Sequence, residues 1–268
     1  MPKANIGNGE IHYEIHGEGP PLLLVAGLGG TADYWNPQIE AFAKDYTVIV
    51  HDHRGTGQST HSEIDYSVDQ MADDLLALMD FLKIDQAHIV GHSTGAAMAL
   101  IIAVKAPERL ASAVVYAGWT KADAQLTRCF DVRKALLRGS GVQAYARATP
   151  LFLFPPWFIR EHGQEMVEQE PKAIASLPSA AIMESRMDAV LAFDCTDYIG
   201  QVNIPSLVLC AEDDFLTPAY YSRELADLIP NAELNILETG AHAVSVTRPD
   251  LFNKEVLAFL ARQKAPQS

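Results

Sequence analysis

Residues 90–100 read VGHSTGAAMAL, with Ser93 between Gly91 and Gly95, at the point where one apolar run ends and an alanine-rich one begins. Glycines at both flanking positions suit a turn too tight for Cβ atoms, with a central side chain held at a costly backbone angle. "AHIVGHS" before it reads as a strand and "TGAAMALIIAVKAP" after it as a helix ended before Pro107. Strand, G-x-S-x-G, helix is the sequence form of a turn that projects one hydroxyl beside a helix N-terminus, where negative charge is favoured. The bland alternative is a glycine-rich turn with a capping serine, and the rest of the chain must decide between them.

Working outward, "PPLLLVAG" and "YTVIVHD" are short continuous apolar runs closed by turn residues, which suits strands buried on both faces of a parallel sheet. "IHYEIHG" alternates Ile11, Tyr13 and Ile15 with His12, Glu14 and His16, predicting a strand with one wet face. Apolar positions 68, 71, 72, 75, 78, 79 and 82 follow helical spacing. "LASAVVYAG" reads as strand, "IPSLVLCAEDD" as strand, 219–229 as helix, 233–237 as strand, and 249 to about 262 as a closing helix. Strands alternating with helices imply right-handed crossovers and a mostly parallel α/β sheet with helices on both faces. From Trp119 to about Tyr198 the rhythm changes to helical patches and the aromatic-proline cluster "PLFLFPPWF", without a buried strand. The expected division is a core of 1–118 and 199–268 with a helical cap at 119–198, and a loose tail, "QKAPQS".

The 268 residues carry a formal net charge of -14 with no Lys/Arg cluster, which argues against nucleic acid and anionic membrane surfaces as partners. Apolar stretches such as 20–28 and 96–104 fall short of the roughly 20 residues that span a bilayer. The polar start, residues 1–9, lacks the apolar core of a secretory signal, so the expected address is cytoplasmic. Cys129, Cys195 and Cys210 have neither disulfide-framework nor zinc-site spacing and read as reduced, partly buried thiols. No cofactor and no metal is implied. The expected partner is a small-molecule substrate, with a homodimer as the candidate assembly.

A serine hydroxyl is a poor nucleophile unless a base takes its proton. Of nine histidines, His242 alone is late in the chain, in a loop after a predicted strand, and preceded by a turn glycine, Gly240. The others read as wet-face, strand or loop residues, and His92 as packing or bonding locally within the turn. Asp213 and Asp214 follow another late strand in "LVLCAEDDFLTP". Both loops end strands at the sheet edge where ligands of open α/β sheets gather.

Taken together, "PPLLLVAGLGG", "HDHRGTGQS", "VGHSTG", "EDDFLTP" and "GAHA" resemble the α/β-hydrolase superfamily over nearly the whole chain. The resemblance implies Ser93 as nucleophile, His242 as base and Asp214, from the D-F-L-T-P match, as the carboxylate, with Asp213 as runner-up. It implies an oxyanion hole from the N–H groups of Thr94 and, in "VAGLGGTADYW", Leu28. Asp52, Arg54 and Ser59 of "HDHRGTGQS" read as bracing rather than catalytic. One departure is Ala26-Gly27 where many relatives carry His-Gly.

"GGTADYWNPQ", "AGWTKADAQLTRCFDVRKALL" and "YARATPLFLFPPWF" further resemble the RutD-type aminoacrylate or carbamate hydrolases of bacterial pyrimidine degradation. That likeness implies hydrolysis of a C–N bond in a small polar acid. Such a substrate needs a positive group, for which the cap offers Arg128 and Arg133, with Trp119, Phe152, Phe154 and Trp157 as candidate apolar walls. The competing reading puts the arginines on a solvated helix face and the aromatics in the insertion's own core. Enol-lactonase or small carboxylesterase is the alternative activity, followed by C–C bond hydrolase, cofactor-free perhydrolase and a non-catalytic ligand receptor.

Overall fold

The computed structural model describes residues 2–266; the first residue of the polar start and the last two of the expected tail lie outside them. Eight strands form one sheet in the order β1-β2-β4-β3-β5-β6-β7-β8. They are β1 (Lys3–Asn5), β2 (Glu10–His16), β3 (Pro21–Val25), β4 (Thr47–His51), β5 (Ala87–His92), β6 (Leu110–Tyr116), β7 (Ser206–Ala211) and β8 (Glu233–Leu237). Pairings β1–β2 and β2–β4 are antiparallel, and every pairing from β4 to β8 is parallel. Strands β3 and β4 are the continuous apolar runs seen in the sequence, because both of their faces are covered, Leu23 and Ile49 on one side and Leu22, Leu24, Val48 and Val50 on the other.

On one face lie α2 (Val68–Leu82), α3 (Thr94–Lys105) and α7 (Ala219–Leu228). On the other lie α1 (Asn36–Phe42), the short α8 (Val244–Thr247) and α9 (Pro249–Leu260). Ser67 caps α2 by accepting from the Gln70 N–H, and Lys83 ends it in the left-handed conformation. Helix α3 is apolar all round, and Thr94–Ala103 are all buried between the sheet and α2.

Between β6 and β7 the chain leaves the sheet and runs through α4 (Ala124–Leu153), broken at Gly141, then α5 (Pro156–Ser176) and α6 (Ala180–Ala192). Leu126, Phe130, Tyr145, Met183 and Met187 from these helices join the same apolar cluster as α2 and α3. Lys121 and Asp194 form an isolated bridge where the segment leaves and rejoins the sheet. Among the described residues no helix is long and apolar enough to cross a membrane.

The wet face expected for β2 is not what forms. His12 is buried, its Nδ1 3.0 Å from Oδ2 of Asp52, while Ile15 is exposed. Alternation marks which residues share a face but not what covers it, and here the turn after β4 closes over His12. In that turn Asp52 also accepts from the N–H groups of Ala32 and Gln58, and Arg54 forks onto Asp74. These residues brace, as the sequence suggests. His51 and His53, read as loop residues, are buried and stacked 5.1 Å apart, and the three cysteines are free and buried.

Burial holds four imidazoles neutral: His51 and His88 are pushed down to about 4, and His53 and His92 well below their ordinary value. The unfolded chain therefore binds protons between pH 6.5 and 4 that the folded chain refuses. Their contribution is intact above about pH 6.5 and shrinks as pH falls, by up to about 1.4 kcal/mol per pH unit for each ring. Urea unfolding at pH 7 and pH 5 should show the midpoint falling on acidification.

Candidate active site

Ser93 stands between β5 and α3 at φ +53° and ψ -114°, a region non-glycine residues rarely occupy. Both flanking glycines are required by contact. A Cβ on Gly91 would lie 2.2 Å from the carbonyl oxygen of Gly95, and one on Gly95 would lie 2.3 Å from that of Val25. The turn leaves Ser93 9% exposed at the wall of a cavity of about 200 Å³. The loop 26–31 and Tyr34 form one side, while Phe130, Arg133, Tyr145 and Met183 form the other. Gly27 lies directly on the elbow: a Cβ there would be 3.2 Å from Cβ of Ser93 and 3.1 Å from Nδ1 of His92. The Ala26-Gly27 departure thus leaves the loop seated against the serine.

His242 and Asp214 come together in the interior, with Nδ1 2.8 Å from Oδ2 and both side chains essentially inaccessible. The Leu216 and Thr217 N–H groups donate to Oδ1 of Asp214 at 2.8 and 2.9 Å, and the Thr217 hydroxyl donates to Oδ2 at 2.9 Å. These donors occupy both carboxylate oxygens and fix the plane of the group. With Nδ1 facing Asp214, the second ring nitrogen, Nε2, is the one left to take a proton.

Asp213 does different work. Its Oδ1 accepts from the N–H groups of Gly240 and Ala241, and its Oδ2 from the Thr239 hydroxyl. It thereby ties down the loop that carries the histidine, where Gly240 and Ala241 both have positive φ. The other side of this loop is held by Tyr116, which sequence reasoning did not single out, and by His92, which was expected to bond locally within the turn and instead reaches a residue 150 positions away. Nε2 of His92 donates to the carbonyl of His242 at 3.0 Å, and the Tyr116 hydroxyl donates to the same oxygen at 2.8 Å. Burial, reinforced by the neighbouring His242, keeps His92 neutral. Its ring lies flat on Tyr34, 4.7 Å away, and 4.8 Å from the ring of His242, which sets that imidazole beside the elbow.

Of the arginines proposed for the pocket, only Arg133 reaches it. It is buried, its Nη2 donates to the Tyr145 hydroxyl at 2.7 Å, and its guanidinium lies over the rings of Phe130, Tyr145 and Phe152. It forms no ion pair with a carboxylate among the described residues, and Nε is buried without a partner. Arg128 is exposed on α4, whose inward face carries Leu126, Cys129 and Phe130, so it lies on the solvated side.

The aromatic walls also differ from expectation. Trp119 is buried edge-to-face on Phe193, 5.5 Å away, as core beneath α6. Trp157 is on the outer rim, donating to the Thr239 hydroxyl beneath the Arg248 guanidinium. Phe152 supports Arg133 from behind, and Phe154 faces an outer groove with Phe215. In each case the residue type was suitable, but the packing of its segment, a loop for Trp119 and Phe154 and a helix for Phe152 and Trp157, keeps it out of the cavity lining. A wider groove of about 480 Å³ lies between α2, α3 and α6, but its Lys105 is already paired with Asp69 and Asp73 and its Ser67 caps α2.

A model of the α/β-hydrolase fold matches residues 20–168. A protein named carbamate hydrolase RutD from Azorhizobium caulinodans is 42% identical over 259 residues, covering 97% of this chain and 98% of its own. Another of that name, from a Caulobacter species, is 40% identical over 261 residues, covering 95% of this chain and 97% of its own. Among solved structures, the enol-lactonase from Burkholderia xenovorans superposes with a TM-score of 0.90 at 26% identity, over 97% of this chain and all (100%) of that one. The strand order, the strained serine between two contact-limited glycines and these similarities agree, and the chain belongs to the α/β-hydrolase fold family, as a hydrolase.

Proposed function

We propose that this protein is a serine hydrolase that cleaves a C–N bond of a small polar acid through an acyl-enzyme, with residues 119–198 serving as a cap over a core of 1–118 and 199–268. The observation that carries the reading is the pairing, in one cavity, of the elbow serine with Arg133, a buried guanidinium that has no carboxylate partner among the described residues. Burying a cation without its counterion is costly unless a ligand supplies it. A substrate carboxylate fits, since a guanidinium binds it through charge-assisted hydrogen bonds. A volume of about 200 Å³ lies below the range for drug-sized ligands and favours a substrate of few atoms. The carbamate hydrolase name of the relatives supplies the carbamate-like assignment, in which the C–N bond lies at a carbonyl carbon.

In this mechanism Oγ of Ser93 attacks the substrate carbonyl while Nε2 of His242 takes its proton, and Asp214 stabilises the imidazolium. The oxyanion is held by the N–H of Thr94, in the first turn of α3 where helix donors lack partners, and by that of Leu28. His242 then gives its proton to the leaving nitrogen as the C–N bond breaks. Water attacks the acyl-enzyme as His242 takes its proton, and the acyl–Oγ bond then breaks as His242 returns that proton to Oγ of Ser93, releasing the acid. A small enol-lactone or ester acid is the second reading, favoured by the enol-lactonase superposition.

Assaying a panel of small carbamates, amides, enol-lactones and esters, acidic and neutral, by proton release decides between these. A preference for bulky hydrophobic esters would overturn the small-acid reading. Ser93→Ala and His242→Ala should each cut turnover at least ~10³-fold while leaving the folded state intact by circular dichroism. Asp214→Asn should cost about 10⁴-fold in kcat, whereas Asp213→Asn, which keeps an acceptor for the loop, should stay within about tenfold. Arg133→Met should raise KM for acidic substrates roughly 10–100-fold and leave neutral esters nearly unchanged.

A further inference from the structure

Arg186, on α6, is fully buried. Its Nη1 donates to the carbonyl of Arg54 at 2.9 Å, and its Nη2 donates to that of Leu28 at 3.0 Å and lies 3.1 Å from Nδ1 of His53. The guanidinium plane faces the Tyr66 ring, and Nε is buried without a partner. No carboxylate pairs with it among the described residues, and it does not line the cavity. Burial lowers it to about 10, so it remains charged at neutral pH.

The guanidinium bridges the back of the loop over Ser93, at the Leu28 carbonyl, to the turn at His53 and Arg54, whose His53 N–H donates to the Gly30 carbonyl of the same loop at 2.7 Å. Gly30, at φ +66°, has room for no side chain there: a Cβ would meet Nη2 of Arg186 at 2.8 Å and Cβ of His53 at 3.0 Å. The loop is thus held between the elbow at Gly27 and the guanidinium at Leu28 and Gly30. A carbonyl fixed by a buried cation cannot rotate, which fixes the loop conformation around Leu28. Preorganised donors stabilise a transition state because they need no reorientation when charge develops.

We propose that Arg186 is a positioning residue for the oxyanion-binding loop, acting from the cap helix through the Leu28 carbonyl to aim the Leu28 N–H at the substrate oxygen. The inference rests on the reading of Ser93 as nucleophile but not on the identity of the substrate. It places part of the oxyanion machinery under the control of a residue about 160 positions away in sequence.

The test compares wild type, Arg186→Met and Arg186→Lys using p-nitrophenyl acetate turnover, inhibition by a small alkylboronic acid that becomes tetrahedral on Ser93, and inhibition by acetate. For Arg186→Met, kcat should fall ~10–100-fold with KM within about twofold, and boronate inhibition should weaken by a similar factor while acetate inhibition holds. Lysine, which keeps charge but cannot span both carbonyls, should recover part of the loss. If the Met variant does not fold, the Lys variant decides, with about a tenfold loss in kcat expected. Unchanged kcat and boronate inhibition in a folded variant, or a rise in KM alone, would overturn the inference. Wild type that neither turns over the ester nor reacts with a fluorophosphonate would instead sink the nucleophile reading, and this inference with it.

Discussion

The close seating of α3 on the sheet, possible because neither Gly91 nor Gly95 carries a Cβ, is the constraint on which the rest of the site depends. A side chain at Gly95 would overlap the Val25 carbonyl, and one at Gly91 would overlap the backbone of Gly95 itself. With helix and strands this near, the connecting residue cannot relax, and Ser93 is held at positive φ. The strain is sustained by the packing around it: Thr94–Ala103 are buried between the sheet and α2. A loosely packed α3 would let the serine return to an ordinary turn, and its hydroxyl would lose its fixed orientation.

The loops around the elbow are stiffened by buried polar bonds rather than by apolar contact. The loop before His242 is held from outside by Asp213 and from inside by His92 and Tyr116, all acting on backbone atoms. The loop carrying Leu28 rests on the elbow at Gly27 and on Arg186 behind it. Such groups are costly when unsatisfied and directional when satisfied, so they set geometry more sharply than an apolar core would. Arg133 at the cavity wall and Arg186 behind the Leu28 loop, both buried and without a carboxylate partner among the described residues, also place positive charge near the cavity of a chain whose net charge is -14. That local sign suits a small anion even though the molecule as a whole repels one.

Much of the sheet was legible because its central strands are covered on both faces and appear as unbroken apolar runs. Helix α2 was legible because its stripe repeats at helical spacing over a full 15 residues. The short β1, α1 and α8 were not anticipated, since three to seven residues carry too little periodicity to stand out. His12 shows the same limit within a strand that was recognised: its alternation was seen, but the Asp52 turn that buries it comes from 40 residues away.

The sequence by itself determined the elbow, the chain order of serine, carboxylate and histidine loops, and the α/β architecture. These follow from local rules: glycine where Cβ atoms cannot fit, apolar runs where faces are covered, turn residues where strands end. Only the tertiary structure decided that Arg133 rather than Arg128 faces the cavity, that Trp119 is core and Trp157 rim, that Asp213 ties the histidine loop, and that Arg186 reaches Leu28. A helix pattern says that one face is buried but not against what, and a charge buried far from its partner in sequence leaves no local signal. Packing across the sheet edge supplies both.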